Sequence, residues 1–395
     1  MKTYFGLKDF SYSGKTVLVR VGWDMPINDK GKITNDDRIK ESLPTLRYLV
    51  RKKAKVILLF HHHRPNGKIV AQYRVAAITK HAGRLLKKTI KQMYVLKGRD
   101  VERAVEKLRP GGIMALENVR FSPLETKGSS VFGKELASYA DYYVNEAFSN
   151  SHRNHASMTQ ICKYIPGCLG LQAEKDVKAL SLKGAKKPLY AILGGVKLET
   201  RIPLIKALAS KASKILLGGA MVFTFLKSQG YSVGNSVVDE NYVKKAGSLL
   251  RKYKKKLVLP EDIVVVDTLE GKSEKMVVDR AHIPSGWIGV DNGPASVTQF
   301  ENILKDAKTI VWNGAIGIFE NPKYAAGTKG IIKILANSKA TTIIGGGDTS
   351  TSVKQFKATS KMTHVSTAGG ASLTLLEGKK LVALEALKKS FKKFK

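Results

Sequence analysis

The sequence predicts an α/β protein of two domains, each built on a parallel β-sheet, and three observations carry that expectation. Short apolar runs alternate with stretches of helical spacing through both halves of the chain. Those runs are apolar along their whole length, as strands covered on both faces are. The alternation pauses once, at Tyr164-Ile165-Pro166-Gly167-Cys168-Leu169-Gly170, and then resumes. A chain of 395 residues has room for two such cores.

The first strand is Thr16-Val17-Leu18-Val19-Arg20-Val21, followed by a loop to Pro26. Residues 42–50 have helical spacing, and Lys55-Val56-Ile57-Leu58-Leu59-Phe60 is a second buried strand. A helix over about 75–88 leads towards a strand at Met93-Tyr94-Val95. A helix over 101–108 stops at Pro110-Gly111-Gly112, because proline and paired glycines break helices, and a strand follows over 113–117. A helix over about 132–139 precedes the strand Tyr142-Tyr143-Val144. The domain junction falls at the pause, with a long helical stretch over 171–182 after it. The expected domains are 1–168 with a tail from about 378 to 395, an interdomain helix over 169–183, and 184–377.

The second half repeats the pattern, with strands at 189–193, 215–217, 257–259, 309–312, 341–344 and near 363–366. Almost every one runs into glycine: Gly194-Gly195, Gly218-Gly219, Gly314, Gly345-Gly346-Gly347 and Gly369-Gly370. In an open α/β sheet these ends share one edge, where ligands bind. The most informative stretch is Ile343-Ile344-Gly345-Gly346-Gly347-Asp348-Thr349-Ser350-Thr351. Glycines there let backbone N–H groups approach a phosphate, and a helix starting beyond them adds its positive end. Asp348 is then a candidate oxygen ligand for phosphate-bound Mg²⁺. Read alone, the stretch is equally a strand-to-helix turn in which Asp348 or Thr349 caps the helix. Ser13-Gly14-Lys15-Thr16 resembles the tail of a P-loop, but it lacks the first glycine and precedes a strand, so it is rejected.

Strand ends in the first half carry cations instead. Arg38 follows the first loop, His61-His62-His63-Arg64-Pro65 the second strand, and Arg120 the strand at 113–117, while His152 and Arg153 follow Val144. Guanidinium groups gathered at one sheet edge suit a small, multiply charged anion. Adjacent histidines in an extended chain point apart, and no cysteine or acid cluster completes a zinc site.

Lys and Arg number 68 against 32 Asp and Glu, a formal charge of +36. Such a field attracts polyanions, yet runs such as Lys254-Lys255-Lys256 and Lys392-Lys393 are spread as solvated faces and lack an RNA-binding aromatic motif. Nucleic acid is expected only through non-specific charge. Apolar content of 43% and charged content of 25% fit a soluble globular protein. The expectations are no membrane partner and a cytoplasmic location, since no apolar run has membrane length and no leader-like segment begins the sequence. Cys162 and Cys168 have neither disulfide-framework nor metal spacing.

With these residues in place, the chain resembles the phosphoglycerate kinase family along nearly its whole length. His61-His62-His63-Arg64-Pro65 is similar to the family's His-x-x-Arg-Pro block, and Glu117-Asn118-Val119-Arg120-Phe121 to its Glu-Asn-Leu-Arg-Phe. Asn145-Glu146-Ala147-Phe148 with His152-Arg153-Asn154-His155-Ala156-Ser157 resembles the next signature. Gly194-Gly195-Val196-Lys197, Val311-Trp312-Asn313-Gly314, Gly317-Ile318-Phe319-Glu320, the Gly345–Thr349 turn and Ser366-Thr367-Ala368-Gly369-Gly370-Ala371-Ser372 follow in family order.

The resemblance implies two Rossmann-like domains joined by a hinge helix, acting as a monomer in glycolysis. It implies reversible phosphoryl transfer between 1,3-bisphosphoglycerate with ADP and 3-phosphoglycerate with ATP, with Mg²⁺ as cofactor. The first domain would hold the phosphoglycerate through Gly22, Trp23, Asp24, Arg38, His61, His62, His63, Arg64, Arg120 and Arg153. The second would hold the nucleotide through Gly194, Gly195, Gly218, Gly219, Asn313, Glu320, Gly346, Gly347, Asp348 and Thr349, with Asp348 at the metal. Lys197 and Arg38 would flank the moving group, Arg201 would assist, and the N–H groups of Gly369 and Gly370 would add neutral donors.

The pattern departs from the family at four places. Gly22-Trp23-Asp24 stands where relatives have Asp-Phe-Asn, Arg201 where many have lysine, Ala315 for a proline and Ala368 for a glycine. The first change affects recognition of the glycerate, and Ala368 matters if that backbone needs a positive φ. The alternatives are an altered substrate, and a protein that keeps the fold but binds RNA or another polyanion.

Overall fold

Alternating strands and helices form two compact units, Met1–Lys178 with Lys380–Lys395, and Ala179–Lys379. The structure is a computed structural model that describes residues 3–28, 31–270 and 274–395.

Unit 1 contains β1 (Phe5–Gly6), β2 (Thr16–Val21), β3 (Lys55–Leu59), β4 (Ile90–Gln92), β5 (Ile113–Ala115), β6 (Tyr142–Glu146) and β7 (Gly167–Leu169). They form one sheet in the order β1-β7-β6-β2-β3-β5-β4, with every pairing parallel. Val17, Leu18 and Val19 of the central strand are fully buried, which is why the sequence there lacks alternation. Helices α1 (Asp37–Arg51), α2 (Ala76–Leu86), α3 (Arg99–Glu106), α4 (Pro123–Thr126) and α5 (Ser130–Ala137) fill the connections, and α6 (Leu171–Leu180) runs from unit 1 into unit 2.

Unit 2 contains β8 (Leu189–Leu193), β9 (Lys214–Leu217), β10 (Ser232–Val233), β11 (Leu257–Val258), β12 (Asp262–Val266), β13 (Lys275–Asp279), β14 (His282–Ile283), β15 (Ile288–Asn292), β16 (Thr309–Asn313), β17 (Thr341–Gly345) and β18 (His364–Ser366). Its parallel sheet has the order β11-β9-β8-β16-β17-β18. Its helices are α7 (Ile202–Ala209), α8 (Met221–Ser228), α9 (Val243–Lys252), α10 (Pro294–Leu304), α11 (Ala326–Asn337), α12 (Gly347–Gln355) and α13 (Gly370–Leu376). The last helix, α14 (Val382–Phe394), belongs to unit 1. There Ser390 Oγ accepts from the Gly167 N–H at 3.0 Å, and buried Ala383 packs with Ala147 and Met158.

Three expectations change. The strand placed at 93–95 lies at Ile90–Gln92, on the sheet's outer edge, and the more apolar Tyr94 and Val95 are exposed beyond it. The pause at 164–170 contains β7, too short and too close to glycine and proline to show a period. Unit 2 is not purely parallel: β13-β12-β15 form an antiparallel sheet, beside a separate short parallel pair of β10 and β14. The five residues of β13 are mostly exposed, which hid that strand from a search for buried runs, whereas its neighbour β12 is buried throughout.

Candidate active site

In unit 1 the site grows from a charge inside a strand. Arg20 lies in β2 with 0% exposure, and a buried cation has to be paired or hydrogen-bonded. Its Nε donates to Ser157 Oγ at 3.0 Å, one NH2 group donates to the Val21 carbonyl, and the other to His61 Nδ1 at 2.9 Å. Ser157 in turn donates to buried Glu125 through both its N–H and its hydroxyl, at 2.8 and 2.6 Å. Because Arg20 can only donate, His61 Nδ1 accepts and Nε2 carries the proton. That Nε2 stands 3.4 Å from Asp24 Oδ2. Burial, with Arg20 and Arg120 nearby, pulls the His61 pKa down to about 3, so the ring is neutral at pH 7.

Asp24 is the centre of this arrangement. Its Oδ1 accepts the His63 N–H at 2.9 Å, its carbonyl accepts from Arg38 at 2.7 Å, and His62 Nδ1 lies 3.6 Å from Oδ1. Burial alone would raise the Asp24 pKa. The His61 and His62 rings and the His63 amide outweigh it and hold the carboxyl well below the usual range. His61 and His62 therefore do not point apart as a strand would have them, while the His63 ring stacks on Tyr73 at 4.7 Å. All three lie past the end of β3, where His63 turns into the left-handed region with φ +56°, and His61 and His62 both face Asp24.

Arg120 donates to the His63 carbonyl at 2.8 Å. Burial, then the charges of Arg153 and Arg20, lower its pKa to about 10, which leaves it protonated at pH 7. Burial, then the like charge of Arg64, lowers the Arg153 pKa, and Asp24 pulls it the other way. Arg38, Arg64, Arg120 and Arg153 thus belong to one cluster with Asp24 at its heart. Buried Arg120 Nε makes no hydrogen bond, and His62 Nδ1 and His155 Nδ1 have only a carboxylate oxygen beyond hydrogen-bond distance, Asp24 at 3.6 Å and Glu125 at 3.7 Å; an anion's oxygen would supply what the Arg120 donor lacks. Gly22 stands beside Ser149, whose Oγ would lie 3.2 Å from a Cβ there. Trp23, expected at the substrate, is corrected: it is fully buried, packs edge-on to Phe60 at 5.1 Å and donates to Ser42 Oγ at 2.9 Å. Chain alternation after β2 turns it into the core.

In unit 2 a pocket of about 360 Å³ is lined by Gly195, Arg201, Gly219, Phe319, Glu320 and Asp348 among others. Two glycines make its wall possible. A Cβ on Gly194 would sit 2.0 Å from the Ala315 carbonyl oxygen, and one on Gly219 (φ +70°) 2.6 Å from the same atom. Gly218 packs against Ile316 in the same way. Arg201 donates to Asn313 Oδ1 at 2.8 Å, and Asn313 Nδ2 donates to the Gly345 carbonyl at 2.7 Å. Thr349 Oγ1 accepts the Gly314 N–H at 2.7 Å. Asn313 and Thr349, both expected to carry phosphates, are buried braces behind the pocket, because their side chains satisfy backbone and arginine partners first.

Arg201 Nε is buried without a partner. Burial lowers the Arg201 pKa while the carboxylates of Asp348 and Glu377 raise it. Asp348 is exposed in the first turn of α12, with Gly346 (φ +108°) before the helix and Gly347 opening it. Lys197 is exposed but borders a separate depression with Glu199, Asp239 and Lys245. Gly369 and Gly370 are exposed where α13 begins, and Ala368 is outside the left-handed region, so its missing glycine imposes no strain. Sequence reasoning missed Asp291 and Asn292 in the pocket, and the Arg20–Ser157–Glu125 network. The signal for the network was present, an arginine inside an apolar strand. Burial raises the Asp291 pKa to about 7 against hydrogen bonds from Thr328, Asn292 and Gly327.

Among the described residues no group of three or more acids, histidines or cysteines could hold a metal. The fit is instead to a metal that arrives on its ligand: one hard carboxylate, Asp348, beside an unpartnered arginine donor and a glycine wall.

A cationic cradle on one α/β unit and a glycine-walled pocket on the other describe a kinase of small phosphorylated metabolites. The model of the family described as phosphoglycerate kinase matches residues 7–379, and the chain belongs to that family. It is 43% identical over 393 residues to phosphoglycerate kinase of Trichodesmium erythraeum, covering 98% of both chains. Phosphoglycerate kinase of Fervidobacterium nodosum is also 43% identical, over 390 residues, covering 96% of this chain and 97% of the other. The solved structure of phosphoglycerate kinase from Coxiella burnetii superposes with a TM-score of 0.89 at 33% identity, covering 98% of this chain and all of that one. The resemblance read from the motif blocks holds over the whole length.

Proposed function

We propose that this chain carries out the family's reaction with its two halves in separate roles: unit 1 holds the phosphoglycerate and unit 2 the nucleotide. The reaction is reversible phosphoryl transfer between 1,3-bisphosphoglycerate with ADP and 3-phosphoglycerate with ATP. The observation that carries the assignment is the arginine cluster of unit 1, with the buried Arg120 Nε left without a hydrogen-bond partner. Arg38, Arg64, Arg120 and Arg153 pair with the anionic ends of the glycerate. Asp24 stays ionised and so accepts a hydrogen bond, which suits the glycerate hydroxyl and not its carboxylate. His61, fixed by Arg20, orients Asp24.

In unit 2, Arg201 and the glycine turns at Gly195, Gly219, Gly346 and Gly347 take the phosphates, and Glu320 the ribose. Asp348 would hold Mg²⁺ with those phosphates, and the ion when bound neutralises phosphate charge. Lys197 and Arg38 flank the moving group, and the N–H groups of Gly369 and Gly370 add donors. No general base is needed, because the acyl-phosphate oxygen leaves as a carboxylate. Alignment and charge stabilisation do the chemistry.

A coupled assay of 3-phosphoglycerate-dependent MgATP consumption tests the reading. Arg38→Ala and Lys197→Ala should each lower kcat/KM by about 10²- to 10³-fold; wild-type rates in both would sink it. Asp24→Ala should raise the 3-phosphoglycerate KM about tenfold, and an unchanged value would refute the hydroxyl role.

A further inference from the structure

The outer edge of unit 1 carries a second feature that phosphoryl transfer does not use. Helix α2 and the edge strand β4 enclose a groove of about 620 Å³. One face of the helix forms its wall: Thr79, Lys80, Gly83, Arg84 and Lys87 recur three or four residues apart. Lys88 and Tyr94 complete the rim. Lys80, Arg84, Lys87 and Lys88 are all exposed, and none of the eleven lining residues is acidic. Arg84 has only the His81 ring as a side-chain partner, at 3.3 Å.

The floor of the groove is polar and unsatisfied. Thr79 is 2% exposed, yet its Oγ1 makes no hydrogen bond. A helical threonine ordinarily returns its hydroxyl to the carbonyl one turn back. Gln92 Oε1 is buried and equally without a partner, while the amide nitrogen of the same side chain is committed to the Met93 carbonyl. One hydroxyl and one carbonyl oxygen, both closed to solvent, therefore lie beneath four cations. Beside them Tyr94 is 63% exposed, an aromatic face with nothing stacked on it.

We propose that the α2–β4 groove binds single-stranded nucleic acid, a function separate from phosphoryl transfer. The cations take successive phosphates, and Tyr94 stacks a base. A double helix offers phosphates but no free base face for Tyr94. An anionic membrane calls for apolar side chains along the rim, and this rim is lysine and arginine. The net charge of +36 supplies long-range attraction, and the groove gives it a place to act.

The test is a fluorescence-anisotropy titration of the full chain against labelled uridine or thymidine oligonucleotides of about twelve residues, at several salt concentrations. Tyr94→Ala should weaken binding about tenfold. Lys80→Ala/Lys87→Ala should flatten the plot of log affinity against log salt by about 1.4. Thr79→Val, which alters only a hydroxyl closed to solvent, should leave both affinity and slope unchanged. All three should keep the wild-type rate of phosphoryl transfer. Three results would overturn the proposal: wild-type affinity in Tyr94→Ala; an equal loss from the control Lys254→Ala/Lys255→Ala, which would mean diffuse charge; or Tyr94-dependent binding to phosphatidylserine vesicles with none to oligonucleotides.

Discussion

Arg20 occupies a strand position that valine or leucine would otherwise fill, and its guanidinium is held from three sides. Removing it leaves Glu125 buried and His61 without its anchor, which costs more than the pair contributes net. Arg20→Met should lower unfolding free energy by about 3 kcal/mol in urea titrations, and the double variant Arg20→Met/Glu125→Gln should recover part of that. His63 presents a separate case, since side chains rarely adopt its φ of +56°. His63→Gly should keep stability within about 1 kcal/mol of wild type, and His63→Val should lose about 2 kcal/mol, because a β-branched residue fits that conformation worst. Arg38, Arg120 and Arg153 were legible because charged residues at the ends of buried strands have few other uses. Trp23, Asn313 and Thr349 were not, because which way a side chain turns beyond a strand depends on partners distant in sequence: Ser42, Arg201 and Gly314.

The elements that pattern recognition found are those buried on both faces. Of those it missed or shifted, β1, β4, β7, β10, β13 and β14 are short or largely exposed and so have no full hydrophobic period, whereas β12 is buried along all five residues and its apolar run was legible. Helix α6 begins against another buried group that sequence could not reveal. Glu146 accepts the N–H groups of Gln172 and Ala173 at 3.2 and 3.1 Å, and the Thr45 hydroxyl at 2.5 Å. Burial raises its pKa from 4.5 to about 7 despite those bonds. A carboxyl raised on folding stabilises fully below its unfolded value, and that contribution fades as pH climbs through the folded one. The wild type should therefore lose about 3 kcal/mol relative to Glu146→Gln as pH rises from 4.5 through 7, read as the difference between their urea midpoints. A constant difference across that window would exclude it.

At the scale of the whole molecule, an excess of 36 positive charges repels itself in the folded state. Raising ionic strength from about 0.01 to about 0.15 M shortens the screening length from about 30 to about 8 Å. The urea midpoint should move upward over that range by the equivalent of about 1 kcal/mol; a downward shift would show that ion pairs outweigh the repulsion. Among the described residues no helix is long and apolar enough to cross a membrane.

Helix α14 gives the molecule an order of events. The ribosome makes residues 1–178 first, but the helix that covers Ala147 and Met158 and gives Gly167 a hydroxyl partner emerges only after all of residues 179–379. The half of the protein born first is thus finished last. Nascent chains stalled before residue 380 should expose that seam to protease, and release of the final segment should close it.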